Sequence, residues 1–332
     1  MKKVKIFTNE VVPAWEPTDL ENFLGGSEEA IVLFAEELAK HDYDVTVYHS
    51  QRIQSDKTHN GVKYSSRESA KCDADDIFIT WKDSLPWKNG AKAAKNIHWS
   101  SDVEQGWEFN KKTNSLNINA VDVFVNISRY LNYKNVFVPV EKRSVIPHGI
   151  DTESLDNHKA EQIENTILYC SSPDRGLFNL LQDWPEIKKR SPQMTLKVAY
   201  GWGNFNFRNF ELRRFRNQIN DLLRQDGIEY LGALRRDEIE REYWKAQYWV
   251  LPLNNPDSEL FCLNAVKSQY CGCIPVVNKL GALKETVADY IPYMSFRQGK
   301  LNVAKEKGVY SKALTWKEVV EKYWVPEILR GV

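Results

Sequence analysis

Short apolar runs alternate with longer amphipathic stretches along nearly the whole chain. Val4–Thr8, Asp44–Tyr48, Asp76–Thr80, Asn96–Trp99 and Asp122–Ser128 read as strands. After the first of them, Ala30, Ile31, Phe34 and Leu38 recur at the spacing of one helical face, which predicts a helix over Ser27–Lys40. Ser27 offers an N-cap, Glu28 and Glu29 suit the positive helix end, and Lys40 suits the negative end. A second series follows Pro147-His148-Gly149-Ile150-Asp151. Its expected strands are Thr166–Cys170, Met194–Tyr200, Ile228–Leu231, Tyr248–Leu253 and Ile274–Val277. Its expected helices are Gly176–Arg190, Arg208–Gln225, Arg236–Ala246 and Leu260–Cys271, with a last amphipathic helix over Thr315–Leu329. Near-continuous apolar strands separated by helices imply parallel sheets covered on both faces. The charged stretch Thr152–Asn165 has little apolar periodicity and reads as a linker. The pattern therefore predicts an α/β protein with two doubly wound domains, residues 1–150 and 151–310, and a closing segment 311–332. Such sheets bind ligands outside the carboxyl ends of their strands. Two such domains facing one another would place the site in the cleft between them.

Length agrees: 332 residues suggest about two domains at roughly 150 residues each. Lys+Arg is 45 and Asp+Glu is 45, so the formal net charge is zero; a chain built as one polyanion-binding surface is excluded, and a local basic patch stays open. The basic doublets Arg213-Arg214 and Arg235-Arg236 read as solvated helix faces, and nucleic acid is not an expected partner. No apolar run approaches the roughly 20 residues of a bilayer span, and Met1–Asn9 is too interrupted for a signal peptide. That leaves room only for peripheral membrane contact and points to the cytoplasm. The five cysteines (Cys72, Cys170, Cys262, Cys271, Cys273) lack zinc-site spacing and read as free thiols. Aromatics are abundant, with 11 Trp, 15 Tyr and 14 Phe, which means aromatic cores or a surface that stacks flat ligands.

Three segments could carry chemistry. Gly25-Gly26-Ser27 opens a helix after a strand and a long loop. It is either a simple entry turn or a close-approach loop offering N–H groups to an anion. It is not G-x-G-x-x-G, so a nicotinamide oxidoreductase is not expected. Ser171-Ser172-Pro173-Asp174-Arg175-Gly176 lies at a strand end, where Arg175 either reaches a diphosphate with its planar fork or serves a capped turn. Asp257-Ser258-Glu259-Leu260-Phe261-Cys262-Leu263 places a carboxylate at a helix mouth, with the N–H groups of Leu260 and Phe261 as anion donors.

The string from Asn254-Asn255-Pro256-Asp257-Ser258-Glu259 through Phe261, Leu263, Ala265, Cys271-Gly272 and Ile274-Pro275-Val276-Val277 resembles the donor-site segment of retaining GT-B-fold glycosyltransferases, especially glycosyltransferase family four. Tyr230–Leu234 with Asp237-Glu238-Ile239, Ser144–Asp151, Gly25–Ser27 and Gly281–Glu285 resemble further segments of that family in the same order, roughly from Val4 to Val287. The resemblance implies two facing Rossmann-like domains, an acceptor side in the first and a donor side in the second, with the last helix packing back on the first. It implies transfer of a sugar from a nucleotide-sugar donor, such as a UDP- or GDP-sugar, to a saccharide or other hydroxyl acceptor. Anomeric configuration would be retained, and neither a metal nor a cofactor would be required. Glu259, Arg175 and His98 would be catalytic. Gly25, Gly26, Ser172, Arg175, Glu259, Leu260, Phe261, Cys262, Leu263 and Lys267 would bind the donor, with Arg175 neutralising the departing diphosphate.

Three departures accompany it. Lys267 stands where the family has a second Glu, and an ammonium donates to ribose oxygens but cannot accept from their hydroxyls. Ser171-Ser172 stand near where the family has a further phosphate-binding Arg, leaving Arg175 alone or helped by Lys197 or Arg208. The length is short for the architecture, which implies trimmed loops. Lys267 and the absent Arg support the alternative of a nucleotide-sugar or carbohydrate-binding protein with weak catalysis. Trp15, Trp81, Trp87, Trp99 and Trp107 cluster in the first half, and their indole faces suggest packing against an acceptor sugar.

Overall fold

A computed structural model describes residues 1–10, 14–22, 24–52, 55–83, 85–102, 118–202, 210–305 and 313–329. The chain divides into two units, one of Met1–Leu20, Leu24–Asp151 and Leu314–Val332, the other of Thr152–Ala313 with Glu21–Phe23. No helix among the described residues is long and apolar enough to cross a membrane.

The first unit holds strands β1 (Lys2–Thr8), β2 (Tyr43–His49), β3 (Lys57–His59), β4 (Val62–Ser66), β5 (Ile77–Trp81), β6 (Lys95–Ser100), β7 (Val123–Asn126) and β8 (Arg143–Val145). Their order in the sheet is β3-β4-β2-β1-β5-β6-β7-β8, and every pair is parallel except β3 with β4. β1 and β5 are adjacent, and the strand order runs outward from them in both directions. Helices α1 (Gly26–Lys40), α2 (Leu85–Lys88) and α3 (Arg129–Lys134) connect strands of this sheet.

The second unit opens on α4 (Thr152–Asn157) and carries β9 (Ile163–Tyr169), β10 (Thr195–Val198), β11 (Ile228–Tyr230), β12 (Ala246–Leu251), β13 (Ile274–Val277), β14 (Asp289–Pro292) and β15 (Ala304–Lys305). The order is β11-β10-β9-β12-β13-β14-β15, all parallel but the last pair. The crossovers are α5 (Leu177–Arg190), α6 (Phe210–Leu222), α7 (Arg236–Lys245), α8 (Leu263–Tyr270), α9 (Leu283–Thr286) and α10 (Tyr293–Arg297). The α/β class with doubly wound parallel sheets is as the pattern predicts.

Several local expectations are corrected. Thr152–Asn165 is not a linker, since it forms α4 and the start of β9. Its few anchors suffice: Leu155 is fully buried and its carbonyl accepts from Trp244 Nε1 at 2.7 Å, while Ser154 and His158 both bond the buried Glu240 carboxylate. The first helix begins at Gly26, not Ser27, with Gly25 as its N-cap and no side-chain cap. β7 spans only Val123–Asn126, and Ser128 instead caps α3 by accepting from Leu131 N. The closing helix starts with Thr315 and Glu318 capping one another across its first turn, then winds as a π-helix over Val320–Ile328. Pro326 lies inside that stretch and cannot donate a backbone bond.

The tryptophans belong mainly to the core. Trp15, Trp81, Trp87 and Trp99 are all buried, so none presents an open indole face to an acceptor. Trp107 lies outside the described residues. The closing helix brings Trp316 and Trp324 onto the same cluster within the first unit. Trp324 stands 4.5 Å from the Phe34 ring and 5.0 Å from Trp99, and Trp99 meets Trp81 edge-on at 4.3 Å. Edge-to-face aromatic packing of this kind adds to the area the rings bury.

Candidate functional site

In the second unit the strand order reverses between β9 and β12, and the chain leaving each strand turns over the same carboxyl edge. That topology makes a crevice where ligands of such sheets bind. Arg175 follows β9 and Glu259 follows β12. Arg175 Nη1 donates to Glu259 Oε2 at 2.7 Å. The Glu259 side chain is only 8% exposed whereas that of Arg175 is 38% exposed, so the carboxylate is the inner member and the guanidinium keeps edges toward solvent. The remaining N–H groups of a guanidinium fork suit phosphate oxygens.

Two glycines make this pairing sterically feasible. Gly176 caps α5 at φ +96°, and a Cβ there would lie 2.5 Å from Pro252 O. The loop after β9 can therefore run against the loop after β12 only with glycine at this point. Gly281, at φ +54°, lies so close to Pro256 O that a side chain would collide with it. Its neighbour Ala282 donates its N–H to Glu259 O at 3.3 Å, fixing the Glu259 backbone from the far side. Asn264 ties the two strand ends further: its Nδ2 donates to Cys170 O at 2.9 Å, and Tyr243 OH donates to its Oδ1 at 2.8 Å.

Electrostatically the crevice is a buried, compensated pair. Burial pushes the Glu259 carboxyl above its usual range, and the Arg175 charge and contacts from Arg175 and Cys262 pull it back. Burial also pushes the Cys262 thiol well up, reinforced by the Glu259 charge, so Cys262 is a neutral neighbour and not a nucleophile. Among the described residues no group of three or more His, Cys, Asp or Glu could hold a metal ion.

The other expected donor residues are placed unevenly. Ser172 contributes its carbonyl, which accepts from Arg175 N at 2.9 Å and from Tyr169 OH at 2.7 Å, so it shapes the Arg175 turn. The helix after Glu259 starts at Leu263, with Cys262 as N-cap, and not at Leu260 as its apolar pattern suggests. Residues Pro256–Ser258 form one tight turn and Glu259 is extended, so the helix mouth is displaced past Leu260 and Phe261, both buried. Lys267 is buried one turn into α8, close enough to Cys170 and Cys271 for its charge to offset part of what burial does to those thiols. Lys197 is taken up by Glu242 at 2.6 Å, and Arg208 lies outside the described residues.

In the first unit the corresponding reversal lies between β1 and β5. Gly25, Gly26 and Ser27 follow β1, and Glu28 folds its carboxylate back over Gly25, which places a negative charge where an anion would have to approach. A residue missed by sequence reasoning faces this loop. Lys82, directly after β5, has φ +55°, and its Nζ donates to Ser27 Oγ at 3.1 Å and pairs with Asp102 at 3.0 Å. Left-handed backbone in a lysine is strained and concentrates at functional positions. A cation directly after a central strand, Trp81-Lys82-Asp83, was the available signal. His98 does not join this loop. It is buried within the sheet, its Nδ1 2.8 Å from Thr80 Oγ1, which also accepts from Trp87 Nε1 at 3.0 Å, and its ring packs on Phe124 at 4.8 Å. Those contacts hold its ring among buried side chains of the first unit.

Residues 152–306 match the protein family described as Glycosyl transferases group 1. No curated protein sequence matches the chain. Among solved structures, it is similar to AviGT4, a glycosyltransferase involved in avilamycin A biosynthesis (TM-score 0.63, 12% identity, 100% of this chain and 99% of that one). It is similar to sucrose-phosphate synthase from Thermosynechococcus elongatus (TM-score 0.62, 12% identity, 86% and 83%). It is also similar to Anabaena HepE in complex with UDP and glucose (TM-score 0.60, 14% identity, 98% and 90%). The fold is thus the GT-B fold read from the sequence.

Proposed function

We propose that this chain, a GT-B-fold protein whose residues 152–306 carry the match to Glycosyl transferases group 1, moves a sugar from a nucleotide-sugar donor to a hydroxyl acceptor with retention at the anomeric carbon. One observation carries the reading: Arg175 and Glu259 meet at 2.7 Å over the reversal point of the second sheet. Breaking the bond between the sugar and the diphosphate develops negative charge on the departing phosphate oxygen. A fixed guanidinium beside that oxygen stabilises the charge as it forms, and the effect is large because the site is partly dry. Glu259, the inner member, faces the sugar side, where it accepts from ring hydroxyls and opposes the positive charge that grows at the anomeric carbon. In this reading the leaving-group charge falls to Arg175, and no metal is asked for. The presence of UDP and glucose in the HepE structure makes a UDP-sugar the first donor to try. The first unit supplies the acceptor side, with Lys82 and Ser27 over its own reversal point.

Lys267 supports a second reading, a protein that binds the nucleotide sugar but turns it over weakly. The ribose would then lack the carboxylate that accepts from its hydroxyls. Incubation with UDP-, GDP- and ADP-sugars and a panel of sugar acceptors, followed by assay of released nucleotide and proton NMR of the product, separates the two. A product of retained anomeric configuration supports transfer. Donor-induced thermal stabilisation without release supports the second reading, and neither response to any donor overturns both.

A further inference from the structure

The first unit carries an apolar patch that the proposed reaction does not use. Twelve large hydrophobic residues are exposed among the described residues, and four of them fall within eight consecutive positions: Tyr133 (72%), Val136 (64%), Phe137 (37%) and Val140 (72%). They run from the end of α3 along the short link into β8. Singly exposed apolar residues are ordinary, whereas a contiguous group marks a contact surface. The group is held in place from beneath. Leu131 and Val138 are buried, Asn135 Nδ2 donates to Asn126 Oδ1 at 2.7 Å, and the Phe137 ring meets Phe124 edge-on at 6.3 Å.

Charge gathers on the same stretch. The chain is neutral as a whole, yet between positions 129 and 143 four cations, Arg129, Lys134, Lys142 and Arg143, stand against the single carboxylate of Glu141. Their places are fixed: Lys142 Nζ donates to Ile118 O and Val121 O, Arg143 donates to Asn132 O, and Lys134 lies 5.5 Å over the Tyr130 ring. Lys95 starts the neighbouring strand β6 on the same edge, with Asp122 between. We propose that Tyr133, Val136, Phe137 and Val140, with their basic surround, form a docking surface for an anionic lipid bilayer.

The chemistry favours that occupant. Tyrosine and basic side chains settle at the headgroup level, where phenol and ammonium stay wet while ring and stem face the acyl chains. Basic residues beside the surface add attraction to anionic headgroups, each one screened by salt. A second copy of the chain fits less well, because a two-fold contact would set the same excess of cations against itself. The patch lies at the edge where β7 and β8 begin, whereas Ser27 and Lys82 lie at the opposite, carboxyl edge of that sheet. Docking would therefore leave the reversal point of the first unit open. The proposal is independent of the transfer chemistry.

Vesicle flotation tests it, with the full chain and two vesicle compositions: phosphatidylcholine alone, and an equimolar mixture of phosphatidylcholine and phosphatidylglycerol. The wild type is expected to float with the mixed vesicles, to be released by high salt, and to stay behind with phosphatidylcholine alone. Tyr133→Ser, Val136→Ser and Val140→Ser together should lower the bound fraction roughly tenfold or more, with an unchanged melting temperature since all three are exposed. Lys134→Glu, which removes no apolar surface, should also weaken the preference for the mixed vesicles. No flotation of the wild type, or equal flotation of the serine variant, overturns the proposal. So does a wild-type dimer in sedimentation that becomes a monomer in the serine variant, which would assign the patch to a second copy.

Discussion

Acidification from pH 7 to pH 5 should destabilise the first unit by an amount set by two buried histidines. His49 and His148 are both buried in that unit. Burial pushes the His49 imidazole down to about 4, against the raising influence of Glu16. Burial, helped by the Lys82 charge, pushes His148 down to about 3. In the unfolded chain both return to about 6.5. A depressed folded value means that the native state refuses a proton the unfolded state accepts. The stabilisation is therefore complete above about 6.5 and is lost as pH falls from there toward the folded values. Between pH 7 and pH 5 the unfolded chain takes up about 0.7 proton at each site while the folded chain takes up almost none, costing about 2 kcal/mol per histidine and about 4 kcal/mol together. Such a loss is a large part of a typical stability of about 5–15 kcal/mol. Glu259 acts with the opposite sign, because its raised carboxyl binds a proton more tightly when folded, but it is one group in the other unit. Guanidinium titrations followed by tryptophan emission at both pH values measure the difference. His49→Gln and His148→Gln should each lower stability at pH 7 and each remove about half of the pH dependence. A wild-type loss under about 1 kcal/mol, or variants with an undiminished slope, would refute the assignment.

Two further perturbations probe packing. Gly281→Ala places a methyl against Pro256 O at a left-handed backbone position and should destabilise the second unit by more than about 2 kcal/mol, seen as a lowered melting temperature and weaker donor binding. Trp324→Ala removes a fully buried indole from between Phe34 and Trp99 and should cost the first unit about 3–5 kcal/mol, measured by denaturant unfolding.

The extent to which the site was legible follows from how each residue signals itself. The strands that flank the two reversal points are near-continuous apolar runs, so their existence and parallel class are plain in the sequence. β3 and β4 are short and largely polar; only Val62 and Tyr64 alternate inward, and that pattern is easily lost among the surrounding lysines and serines. Thr152–Asn157 is helical because one leucine and a set of bonds to Glu240 hold it, and distant partners leave no periodic trace. Arg175 and Glu259 stand out from the motif that contains them, but their contact joins positions 84 residues apart and depends on Gly176 and Gly281 clearing the space. The shift of the helix start from Leu260 to Leu263 is set by the turn at Pro256–Ser258, whereas the apolar spacing runs on unbroken through it. Lys82 carried only a weak signal, a cation directly after a strand, because its weight lies in a left-handed backbone angle and a bond to Ser27. The tryptophans mislead in the other direction, since clustering in the sequence suits a shared core as well as a shared ligand.

The most direct test of the transfer reading is steady-state turnover of the preferred nucleotide sugar by Arg175→Ala and Glu259→Ala, each checked for an intact fold by circular dichroism. Loss of the guanidinium or of the carboxylate removes a charge that acts mainly in the transition state, so kcat should fall about 10²–10³-fold in each. Two folded variants that turn the donor over at the wild-type rate would contradict the account.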